Sequence, residues 1–225
     1  MDRLALINEF ANLVKEGSIE IANWILDKFE SFDYEIAKVL IKDFAFIKPD
    51  MSVIKWIEKK LEQNTPIKQV KEELKNSLKE TIDNALKIFN FDASLVTISN
   101  SLTLFSFFKE SQHKMNIYIP ESKPGGEGFE LFEKVSNLNH NVKLINDFEI
   151  HKYIEISDFV LTSADGVLEN GDIVNKIGTK LLAITANYFE KPFFVLADKT
   201  KFYGSLPKDS IFEIVPKSLI TAIIT

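Results

Sequence analysis

The apolar positions of the chain follow two regimes that meet near residue 90. Up to that point they recur every three or four residues, the period of a helix with one buried face. Leu4, Ile7, Ala11 and Val14 form the first stripe, and Gly17 is placed to end it as a C-terminal cap. Ser18 is suited to open a second helix with Ile21, Ile25 and Phe29 inward. Ile36, Leu40 and Phe44 mark a third, stopped near Lys48-Pro49. Asp50 or Ser52 opens a fourth, carrying Val53, Trp56, Ile57 and Leu61. Thr65-Pro66, a cap followed by proline at the first helical position, opens a long fifth. Its stripe runs through Ile67, Val70, Leu74, Leu78, Ile82, Leu86 and Phe89. Residues 1–90 therefore read as an all-helical domain whose aromatic and Met side chains are core.

Beyond residue 90 the apolar residues gather in short runs, at 94–98, 116–119, 142–145, 159–162 and 193–197. Between them lie helical stretches at 101–110, 129–138 (Leu131, Phe132 and Val135 inward) and 148–156, and one carrying Leu181, Leu182, Ile184, Ala186 and Phe189. Pro216 or Ser218 opens a last apolar turn or helix through Ile224. Strands alternating with helices predict a doubly wound parallel sheet. The expected fold class is α/β: a helical N-terminal domain, then a Rossmann-like domain over 91–225, with the fifth helix as the joint.

The stretch 159–202 is the densest in information. A strand buried on both faces ends near Asp165; a loop with Gly166, Asn170 and Gly171 follows; Asn175, Lys176 and Gly178 lead into a helix. Lys191-Pro192 stops that helix, and a second buried strand ends at Asp198. Open α/β sheets bind ligands at the carboxyl ends of their strands, where Asp165 and Asp198 would sit. A helix N-terminus beside Lys176 suits a phosphate. Asp165 reads equally as a site carboxylate or as a turn cap.

Two more strand ends are expected to converge there. One is Thr97, Ile98, Ser99, Asn100 and Ser101, which serves either to hold an anion or simply to cap the next helix. The other runs from Glu121 through Lys123, Gly126 and Gly128, with glycines that permit close backbone approach to a ligand. Charge and composition narrow the chemistry. The chain has no cysteine, which removes disulfides, thiolate metal sites and cysteine nucleophiles. Its three histidines, His113, His140 and His151, lack metal-ligand spacing, so neither a metal nor a cofactor is expected. The net charge of −6 is spread over both halves without a basic stripe, which argues against direct nucleic-acid binding. No apolar run has membrane-spanning length and the acidic N-terminus is unlike a signal peptide, so a cytoplasmic protein is expected.

ADGVLENGDIVNKIGT, followed by KPFFVLAD and KF, resembles the C-terminal signature of a family with two branches. One branch holds the alpha, beta and delta regulatory subunits of translation initiation factor 2B; the other holds isomerases of methylthioribose 1-phosphate and ribose 1,5-bisphosphate. The stretch at Thr97, the one at Glu121 and the closing FEIVPKSLITAIIT fit the pattern in order, so the resemblance covers residues 90–225. In the isomerase branch a cysteine and an aspartate move protons between C1 and C2 of an open-chain sugar. The resemblance puts Asp165 at the aspartate and Ser99 at the cysteine, and a serine hydroxyl lacks the tunable pKa of a thiol. The arginines that grip phosphate in that branch match Lys15 or Glu16, before Gly17-Ser18, and Lys48, before Pro49. Lysine binds phosphate as a point charge, without the arginine fork. Arg3, the only arginine in the chain, lies too early to match either motif.

The resemblance implies a regulatory-subunit-like, non-catalytic protein. It would act as a homodimer through its C-terminal domain, aided by the apolar segment 219–224, and through a translation initiation factor 2 subunit. It also implies a pocket for a sugar phosphate or nucleotide built from Gly17, Lys48, Asn100, Ser101, Glu121, Lys123, Gly126, Gly128, Asn175 and Lys176. The alternative it carries is an aldose–ketose sugar-phosphate isomerase using Asp165 and Ser99.

Overall fold

The computed structural model describes residues 3–13 and 16–225; Val14 and Lys15 lie outside them. Five helices come first: α1 (Arg3–Ala11), α2 (Ser18–Phe29), α3 (Tyr34–Ile47), α4 (Ser52–Glu62) and α5 (Ile67–Ile88). They enclose one apolar core in which Phe10 stacks on Phe44 with ring centres 4.2 Å apart. Ile21, Ile25, Phe29, Leu40, Phe44, Val53, Trp56, Ile57 and Leu61 are buried as their spacing predicts. Leu4 and Ala11 of the expected first stripe are exposed, because Leu6 and Phe10 form the buried face of α1, and two further positions depart from that reading. Gly17 does not end α1 but stands before α2 in extended backbone, its N–H donating to Glu20 Oε2 at 2.8 Å. Ile36 is 49% exposed, because Ala37, Leu40, Ile41 and Phe44 fill the inner face of α3 and rotate its stripe by one position.

The sheet half runs β1 (Ala93–Val96), α6 (Leu102–Glu110), β2 (Met115–Pro120), α7 (Glu127–Ser136), β3 (Asn141–Ile145), α8 (Ile150–Ile156) and β4 (Phe159–Ser163). It continues with β5 (Gly166–Val167), β6 (Ile173–Lys176), α9 (Thr179–Tyr188), β7 (Phe193–Leu196), β8 (Phe212–Val215) and β9 (Ala222–Ile224). Six parallel strands lie in the order β3-β2-β1-β4-β7-β9. Counted along the chain this is the Rossmann order, and its direction reverses between β1 and β4, where such sheets bind ligands. Alternate strand residues face opposite sides. Leu95, Ile117, Phe159 and Leu161 pack on α5, α6 and α7, while Val96, Val160 and Val195 pack on α8 and α9.

Two elements differ from the sequence expectation. The stretch between Asp165 and Lys176 is a β-hairpin, not a loop: β5 pairs antiparallel with β6, and β6 with β8, as a separate three-stranded sheet. The turn at its tip has Gly171 at φ +86, which only glycine adopts readily. The C-terminal turn or helix is instead a 3₁₀ turn (Lys217–Leu219) followed by β9, the sixth strand of the main sheet.

The halves are locked together. α5 contributes Val70 and Leu74 to the helical core and Ala85 to the sheet core, with Phe89 just beyond its end joining the latter. Asp50 accepts from the N–H groups of Lys208 (2.9 Å) and Asp209 (2.8 Å), and Ser52 donates from both its N–H and its Oγ to the carbonyl of Asp165. Among the described residues no helix is long and apolar enough to cross a membrane.

Candidate functional site

The carboxyl ends of β1 and β4 open onto a cleft whose far wall is the start of α2. Ser99, Asn100 and Ser101 supply one side, Ser163 and Asp165 another, Asn175 and Lys176 a third, and Gly17, Ser18 and Lys201 close it. The enclosed volume is about 30 Å³, room for about two waters. Outside it lies a more apolar groove of about 210 Å³, lined by Ile98, Ser122, Lys123, Pro124, Ile177 and Ile211 among others.

Each side chain is placed by local chemistry. Ser99 sits at φ +65, a conformation costly for a residue with a Cβ, and its N–H donates to Ser122 Oγ at 3.0 Å. Ser101 caps α6, its Oγ accepting from Leu104 N at 3.4 Å. Asn100 lines the cleft, but its amide is engaged by α7: Nδ2 donates to Glu130 Oε2 (3.0 Å) and Oδ1 accepts from Lys134 Nζ (3.1 Å). Asp165 is half-buried, and its main chain is tied to Val174 and Ser52. Asn175 is buried, bridging Thr162 Oγ1 (3.3 Å) and Thr179 Oγ1 (3.0 Å). Lys176 belongs to β6 rather than to a helix terminus, and its Nζ pairs with Glu127 Oε1.

The remaining expected residues are dispersed. Glu121 and Lys123 pair with each other at 3.4 Å on the outer side of the loop, and neither lines the enclosed cleft. Gly126 opens α7 at φ +78. The close approach at Gly128 is to protein, not to the cleft: a Cβ there would lie 1.9 Å from the carbonyl oxygen of Pro120. Gly17 does border the cleft, its backbone packed against Asn100. Lys48 stands outside the lining; its Nζ donates to the carbonyl of Leu13 at 2.7 Å. Burial holds the Lys48 pKa below the ordinary lysine value; Glu16 opposes that and nearby Lys176 adds to it. Lys15, the other phosphate-gripping candidate, lies outside the described residues. Arg3 spends its guanidinium fork on Asp43, Nε donating to Oδ2 at 3.1 Å and Nη2 to Oδ1 at 2.9 Å.

Lys201 is the site residue that spacing alone misses. It sits in a 3₁₀ turn (Lys199–Tyr203), is 2% exposed, and donates from Nζ to Ser18 Oγ inside the cleft. Its only sequence signal is membership of the KF dipeptide in the family-like stretch. Asp198, expected at the site, instead caps that turn: Oδ1 accepts from Thr200 N (2.9 Å) and Thr200 Oγ1 (2.6 Å), so it aims Lys201 rather than lining the cleft. Glu16 and Glu127 also line the cleft. The three histidines lie elsewhere: His113 is beside Asp92, His140 bonds to the Phe108 carbonyl and His151 to that of Phe148.

A Rossmann-order sheet, a helical cap and a cleft at the switch point lined by Lys176, Lys201, Glu16, Glu127 and Asp165 define an α/β protein. The profile of the Initiation factor 2 subunit family matches residues 46–213, and the chain belongs to that family. It is 39% identical over 94 residues to translation initiation factor eIF2B subunit alpha of Dictyostelium discoideum, covering 42% of this chain and 29% of that one. It is 27% identical over 219 residues to the ribose 1,5-bisphosphate isomerase of Methanocaldococcus jannaschii, covering 92% of this chain and 71% of that one. The fold matches the translation initiation factor eIF-2B of Pyrococcus horikoshii with TM-score 0.85 at 17% identity, over 99% of this chain and 94% of the other. It also matches the tetrameric eIF2B beta2-delta2 complex of C. thermophilum, at TM-score 0.78 and 16% identity, over 100% of this chain and 90% of the matched one.

Proposed function

We propose that this protein is a non-catalytic, regulatory-subunit-like member of its family. It works through self-association and protein partners and keeps a small pocket for a sugar phosphate or nucleotide. The observation that carries the reading is that a serine, Ser99, shares the cleft with two lysines, Lys176 and Lys201. The position the resemblance assigns to a catalytic cysteine holds a serine, the histidines lie away from the cleft, and the single arginine is spent on Asp43. An alkanethiol titrates within reach of neutrality and a serine hydroxyl does not, so proton shuttling loses its acid–base partner for Asp165. What remains is an anion receptor: Lys176 and Lys201 at the switch point of the sheet. The rival isomerase reading keeps one point in its favour, that Ser99 and Asp165 line the same cleft.

Self-association draws on α9. The segment 219–224 is taken up by the 3₁₀ turn and β9, with Ile224 buried in the core, so it is not a free apolar surface. Leu181 (53%), Ile184 (49%) and Tyr188 (78%) instead expose one apolar face of α9 in the C-terminal half, and that face suits a second copy. Light scattering at micromolar concentration tests this: the expected mass is that of a dimer, and Ile184→Glu should halve it. A monomeric mass for the unaltered protein ends the dimer reading. In the same preparations a translation initiation factor 2 subunit should be retained equally by the unaltered protein and by Asp165→Asn; loss in the variant would show that site and interface are not separate.

A further inference from the structure

Three side chains, Ser99, Glu127 and Lys176, line both the enclosed cleft and the apolar groove outside it. They form the partition between the two spaces. Neither space alone, at about 30 Å³ and about 210 Å³, reaches the ~300 Å³ at the small end of ligand sites. The part of the partition that bears charge is the Glu127–Lys176 pair, which joins the first residue of α7 to the last residue of β6. Glu127 is itself buried, and its carboxylate folds back over Gly125: a Cβ on Gly125 would fall 2.3 Å from Oε2 and 2.4 Å from Oε1. The absence of a side chain at residue 125 is what lets the carboxylate lie there.

We infer that Glu127 is an internal anion, occupying on Lys176 the place of a ligand's phosphate, and that a phosphate-bearing small molecule binds by displacing it and joining the two spaces into one pocket. The inference rests on the reading of the cleft as an anion receptor. A partly buried ammonium is costly to leave unpaired, and Lys176 is paired with a carboxylate of the chain itself, that of Glu127. A phosphate dianion offers Lys176 more charge and more acceptor oxygens than one carboxylate, and Lys201 lines the same cleft. With Glu127 swung out, the body of the ligand extends into the groove of Ile98, Pro124, Ile177 and Ile211. Occupancy of the pocket then moves the start of α7 against β6.

Titration calorimetry with inorganic phosphate at low ionic strength tests it on four forms of the full chain. Glu127→Gln, which keeps the shape and removes the competing charge, should bind phosphate at least tenfold more tightly than the unaltered protein. Gly125→Ala keeps the charge but pushes the carboxylate off its seat, and should tighten binding in the same direction. Lys176→Met should abolish the heat. Phenyl phosphate should exceed inorganic phosphate in affinity most in Glu127→Gln, where the groove is open to the ring. If both Glu127→Gln and Gly125→Ala bind phosphate no more tightly than the unaltered protein, Glu127 is only a structural partner and the inference falls while the receptor reading stands. If no form binds phosphate at millimolar concentration, both fall together. Should Glu127→Gln fail to fold, Gly125→Ala decides, since the atoms nearest its added methyl are the far end of a flexible side chain, that of Glu127.

Discussion

Lys201→Met should make the protein more stable and worse at holding an anion. Lys201 is 2% exposed and donates to Ser18 Oγ, itself buried. Taking an ammonium out of water costs several kcal/mol, and replacing even a paired buried ionic group with apolar residues of similar volume can gain about 1–4 kcal/mol. Against this stands the hydrogen bond lost from Ser18, about 1 kcal/mol. The net expectation is a gain of about 0–3 kcal/mol, which for a chain of this size raises the melting temperature by about 2–4 °C per kcal/mol. Urea denaturation reads it as a higher midpoint with an unchanged slope. Phosphate titration of the same preparation should show at least tenfold weaker binding. A variant less stable by more than about 1 kcal/mol, with phosphate affinity intact, would show that Lys201 is a structural donor and refute the reasoning.

Phe89→Ala removes a ring stacked on Phe159 at 4.7 Å and edge-on to Phe107 and Phe194, and should cost about 3–5 kcal/mol. Because α5 feeds both cores, the loss should shift a single urea transition; two separated transitions would show that the halves fold independently. Lys48 gives a pH test. Its folded pKa lies below the unfolded value of about 10.4, so between the two the unfolded chain binds more protons and stability rises with pH. Lys48→Met should flatten part of that alkaline rise in the urea midpoint, leaving the part due to Lys55, whose pKa burial also lowers. An equal rise in the variant would mean that Lys48 does not contribute to it.

The reasons some features were legible in the sequence are physical. Strands buried on both faces, such as β4, read as unbroken apolar runs, and α5 reads as a stripe because its inner face stays apolar across two cores. Asp165 and Ser99 read as strand-end residues and Lys176 as one beside a helix N-terminus; the fold brings all three to one cleft, with Lys176 at the end of β6 instead. The hairpin of β5 and β6 was not legible. A two-residue strand shows no alternation, and its pairing is completed by β8, some forty residues further on. β9, three residues long, fails for the same reason. Gly17 was misassigned because glycine suits either end of a helix, and the Glu20 carboxylate that fixes its role is a tertiary detail. Lys201 and Glu127 carry no periodic signal. What makes them matter is burial at a shared cleft, set by elements far apart in the chain.

The claim that this cleft binds without turning over is tested most directly by phosphorus NMR of ribose 1,5-bisphosphate incubated with the protein at high concentration. The account predicts a spectrum in which the aldose signals shift or broaden on binding and no ketose product grows. Product that accumulates with the unaltered protein and disappears in Asp165→Asn would contradict it, and would make Ser99 and Asp165 the working pair of an isomerase.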